Sequence, residues 1–119
     1  MEKWTPITLN ELFDEIQKTE TDLNGQFWNF WELIKIDPVK WNEKDYGNMG
    51  GGFWVVAICG TKVIWYNDIE EGFNISTYKT IGEIDEYWCN QDELNIAVKK
   101  MFELITFGGN ISGRARASF

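Results

Sequence analysis

The chain has 119 residues, 44% apolar and 16% aromatic, which suits one domain with its own core and no need of disulfide or metal staples. A formal charge of −8 disfavours nucleic-acid backbones and anionic lipid as partners and makes a basic protein the natural complement. The chain has no histidine, which removes the commonest general base and metal ligand and excludes Ser-His-Asp and Cys-His machinery.

In chain order, Met1 to Pro6 lacks the apolar segment of a secretory leader. Thr8 and Glu11 then form a Thr-x-x-Glu capping box. Leu9, Leu12, Phe13 and Ile16 recur at helical spacing, with Glu11, Asp14, Glu15 and Lys18 on the opposite face. This amphipathic helix is expected to fade near Thr19 to Thr21, before a turn at Asn24-Gly25. Residues 26–36 fit two periods: Phe27, Phe30, Trp31 and Ile34 make a helical face, and Trp28, Phe30, Ile34 and Ile36 make a strand face that Glu32 spoils. Aromatic and β-branched enrichment favours strand from Trp31 onward. Pro38 marks an edge or an end, with Val39-Lys40-Trp41 continuing beyond the bend.

Residues 42–52 are polar and glycine-rich, hence a loop. Gly50-Gly51-Gly52 lacks the Gly-Lys-Ser/Thr ending of a phosphate loop and leads into a strand, so it reads as a hinge or bulge. Phe53 to Cys59 and Lys62 to Asn67 are the clearest strands, joined by a turn too short for anything but a hairpin. Their continuous apolarity implies burial on both faces, by helices on one side and aromatic cover or a partner on the other. Phe73 to Tyr78 alternates as a further antiparallel strand, and residues 82–88 add a short strand or an extended rim. A second helix is expected to open at Asn90 or Gln91, with Asp92 and Glu93 in its first turn, where carboxylates suit the dipole. Leu94, Ala97, Val98, Met101, Phe102 and Ile105 form its apolar stripe, Lys99 and Lys100 fall nearer its end, and Gly108-Gly109 stops it. The segment 110–119 reads as a short basic tail carrying Arg114 and Arg116.

These elements predict a single α+β domain over residues 1–109. It has an antiparallel sheet of four to five strands, with the N- and C-terminal helices packed on one face. Cys59 and Cys89 read as reduced thiols in a cytoplasmic setting, and no apolar run reaches membrane-spanning length. No metal-ligand spacing, cofactor motif or catalytic arrangement stands out, and the reading is of a protein that is not an enzyme.

Charge distribution carries the functional argument, because acidity as such also serves solubility in a chain with seven tryptophans. Between Val63 and Val98, eight acids face the single base Lys79, a net of −7. Asp68, Glu70, Glu71, Glu83, Asp85 and Glu86 are the candidate contacts, and Tyr87 and Trp88 the candidate aromatic anchors. The turn at 68–72 and the segment 83–86 are expected at one end of the sheet. An alternative reading builds an aromatic small-ligand pocket from Trp28, Trp31, Trp54 and Trp65.

The runs Phe53 to Gly60, Val63 to Phe73 and Glu86 to Leu94 resemble the immunity proteins of contact-dependent inhibition and related polymorphic toxin systems, over roughly residues 26–105. The resemblance implies a cytoplasmic protein that binds a cognate toxin domain and blocks its active site. Many such toxins are nucleases with basic clefts, which an acidic inhibitor can occupy in place of RNA or DNA. It carries over no residue by position.

Overall fold

A computed structural model describes residues 5–109 and Gly113. Apart from Gly113, the basic tail read from the sequence lies outside the described residues. The described chain is an α+β domain with helices α1 (Leu9–Asp22), α2 (Gly25–Ile34) and α3 (Leu94–Phe107) and strands β1 (Lys35–Trp41), β2 (Phe53–Cys59), β3 (Lys62–Asn67) and β4 (Gly72–Thr77). The strands form one antiparallel sheet in the order β1-β2-β3-β4.

Local chemistry explains most boundaries. The Thr8 hydroxyl accepts from Glu11 N, and the Glu11 carboxylate accepts from Thr8 N at 3.1 Å, completing the expected capping box. Gly108, at φ 79°, ends α3 in a backbone conformation that side chains resist. The ladder of β1 on β2 loses register between Lys35 and Val39, around Pro38, on the outer strand where a missing N–H does least harm.

Two expectations are corrected. Residues 25–34 are helix, with strand beginning only at Lys35, so the sheet carries three helices and not two. Helical spacing lets Trp31 and Ile34 bury on the sheet while Phe27 and Phe30 meet the Phe102 edge of α3 at 5.2 and 5.4 Å. Glu32, the misfit in a strand, then reaches solvent and pairs with Lys35 at 2.8 Å. The third helix begins at Leu94, with Glu93 at the N-cap position, and not at Asn90 or Gln91. Residues 90–92 are held beside β4: Asn90 N donates to the Asn74 side chain at 2.9 Å, and Phe73 N donates to Asp92 O at 2.8 Å. Those bonds outweigh the modest gain of extending a helix by one turn.

The sheet has a core on each face. On one, Leu12 of α1, Trp31 and Ile34 of α2, and Leu94, Ala97, Val98 and Met101 of α3 pack on Val56, Ala57, Ile64, Phe73 and Ile75. On the other, Trp41, Phe53, Val55, Val63, Trp65 and Ile84 cluster beneath Tyr46, Tyr78 and Tyr87. The second face is therefore closed by the protein's own aromatic loops. A bulge at Val56 interrupts the pairing between Val55↔Trp65 and Ala57↔Ile64. It places Val56 and Ala57 together on the helix-covered face, which explains why β2 shows no clean alternation.

Residues 78–92 form a strap across the aromatic face. Tyr78 is fastened to the hairpin turn through Thr61 O and Gly60 O. Residues 82–84 then bond Asn42, just past β1, and Asp85 N reaches Thr77 O at the end of β4. The strap thus ties the two outer strands to each other and returns along β4 as the extended rim. Gly52 belongs to this architecture too: a Cβ there would collide with Trp41 O, so this glycine serves close backbone approach at the start of β2.

Candidate functional site

The β3–β4 corner is shaped by Asn67, whose side chain is fully buried. Its carbonyl oxygen accepts from Ile69 N and Glu70 N at 3.0 and 3.2 Å, an Asx turn that reverses the chain. Its amide donates to Trp88 O at 2.9 Å, fixing the corner to the strap. Glu71 takes a left-handed conformation (φ 59°), costing about 1–2 kcal/mol for a residue with a Cβ. Gly72 must follow it, because a Cβ there would run into the backbone of Asn90 and Gln91.

Asp68 does not simply face solvent. Its carboxylate accepts from Ile7 N at 2.8 Å, across 61 residues of sequence, and so anchors the entry to α1 on the corner. The consequence is electrostatic. Glu11 and Glu15, one turn apart on α1, come to lie with Asp68 and Glu71 around Tyr66. Together with Thr5, Pro6 and Ile7 they line an open depression of about 330 Å³. Hydrogen bonds from the Thr8 hydroxyl and then the Thr8 backbone hold Glu11 below the usual carboxylate range, keeping it ionised. The Tyr66 phenol is pushed up to about 12, first by burial and then by the charges of Glu15, Glu71, Asp68 and Glu11. The tyrosine thus registers the negative potential of the depression.

The second acidic stretch has a different fate. Glu83 and Asp85 are exposed on either side of buried Ile84 and border a separate depression of about 290 Å³ with Asn42 and Lys44. Among the described residues, the two depressions share no lining residue. Glu86 turns inward, and its carboxylate accepts from Thr77 N and the Thr77 hydroxyl at 2.9 and 3.0 Å. Tyr87 packs against Tyr46 with tilted rings 4.2 Å apart and lies 6.1 and 6.0 Å from Phe53 and Trp65. Trp88 is partly buried, with Gly113 against its ring. Glu70 is partly buried, and its carbonyl accepts from the Gln91 side chain.

Of the eight residues singled out in the sequence, then, Glu71, Glu83 and Asp85 are exposed, while Asp68, Glu86 and Tyr87 have structural duties. Glu11 and Glu15 were missed as site residues, and Tyr66 lies among the aromatics interleaved with the acids in the sequence but is not one of the eight. Glu11 and Glu15 read as the solvent face of a helix, and the packing of α1 on the core together with the long-range bond between Ile7 and Asp68 brings them to the corner. Glu43 was missed altogether. It is 2% exposed, and its carboxylate accepts from the backbone N–H groups of Asp45, Tyr46 and Gly47, organising the loop before β2. A lone glutamate in a polar loop gives no such signal.

The four tryptophans of the aromatic-pocket reading do not surround one space. Trp31 and Trp65 are core residues on opposite faces of the sheet, and Trp28 and Trp54 pack on the helix-covered side. No disulfide joins Cys59 and Cys89. Among the described residues, no group of three or more carboxylate or cysteine side chains is arranged to hold a metal ion, and no helix is long and apolar enough to cross a membrane.

Fold and site together define a small α+β domain with an acidic depression beside a tyrosine. Comparison with protein-family models, curated proteins and solved structures finds no match.

Proposed function

We propose that this chain is an immunity-type inhibitor that binds a basic toxin domain, of the nuclease kind, through its acidic corner. The observation that carries the reading is the convergence of Glu11, Glu15, Asp68 and Glu71 around Tyr66. Carboxylates only accept hydrogen bonds, and four of them beside a phenol suit lysine or arginine side chains presented from a complementary surface. Such side chains line clefts that hold a phosphate backbone, so the corner competes for the same charges as the nucleic acid. Glu70 lies within the corner, and Glu83 and Asp85 extend the negative field along the strap. Long-range attraction speeds encounter, and desolvated contacts such as the edge of Tyr66 then hold the complex. An inhibitor of this kind works in the cytoplasm of the cell it protects.

The test is co-expression with basic nuclease toxin domains, followed by stopped-flow binding of each purified pair at several salt concentrations. Protection of growth, and association that slows steeply with salt, are expected. A chain that neutralises no toxin would overturn the function. Protection that persists when Glu15→Lys and Glu71→Lys leave the association rate unchanged would instead move the interface elsewhere.

A further inference from the structure

We draw no further inference here: the strongest candidate, the acidic depression between the start of α1 and the β3–β4 corner, belongs to the site already described, and nothing else in the structure points to a particular ligand within it.

Discussion

The corner at residues 68–71 and the rim at residues 83–86 each carry three carboxylates within four residues, and the fold treats them differently. At the rim the chain is extended, so successive side chains point opposite ways: Glu83 and Asp85 outward, Ile84 into the core, Glu86 onto Thr77. Extension disperses the charge and spends one carboxylate on the fold. At the corner the chain turns, and Asp68 recruits the start of α1, adding Glu11 and Glu15 to the same depression. A bound entry segment concentrates charge beyond what the local sequence contains. Acid density along a chain is therefore a poor guide to acid density on a surface.

Substitutions separate the inward carboxylates from the outward ones. Glu43→Ala should have the largest effect. It leaves three loop N–H groups without their acceptor and should cost about 3 kcal/mol in urea unfolding. Glu86→Ala removes the acceptor of two Thr77 bonds and should cost about 2 kcal/mol, whereas Glu83→Ala and Asp85→Ala should stay within about 0.5 kcal/mol. Equal losses at all three rim positions would show that the inward and outward distinction is wrong.

The paired reversal Glu15→Lys and Glu71→Lys should lower the association rate with a basic partner about tenfold at low salt while leaving unfolding nearly unchanged. The matched reversal at Glu83 and Asp85 should do less, and a larger effect at the rim would transfer the interface there. Thr8→Ala should cost about 1 kcal/mol by uncapping α1, read as a lower urea midpoint.

The smallest effect at neutral pH, and the most direct probe of the corner, is Tyr66. Its phenol ionises near 10 in the unfolded chain and about 12 in the fold. Between those values the unfolded chain binds fewer protons, so its contribution to stability is complete below about 10 and is lost as pH rises towards about 12. An ultraviolet titration should show a late tyrosine ionisation, and Tyr66→Phe should remove that component. Neutralising Glu15 and Glu71 as glutamines should bring that ionisation down; an unchanged titration would mean that burial alone sets it.

Much of the fold was legible because its signals are local. The capping box at Thr8 and Glu11, the hairpin turn after Cys59 and the glycine stop after Phe107 each depend on a few adjacent residues. The segment from Gly25 to Ile34 was not settled by such signals, since its aromatics satisfy both periods. The choice fell to Phe102 and the sheet, which reward the helical face. Of the site, the acidity of Asp68, Glu70 and Glu71 was legible, and the contribution of α1 was not.

The α+β class, the antiparallel hairpin at the centre and the acidic stretch from Val63 to Val98 follow from the chain alone, because periodicity, turn chemistry and charge are properties of sequence neighbours. Which carboxylates meet depends on the folded arrangement. One hydrogen bond from Ile7 to Asp68 joins segments 61 residues apart, and the bonds of Thr77 draw Glu86 inward. Pairings between distant segments depend on how the whole core closes, and no local pattern encodes them.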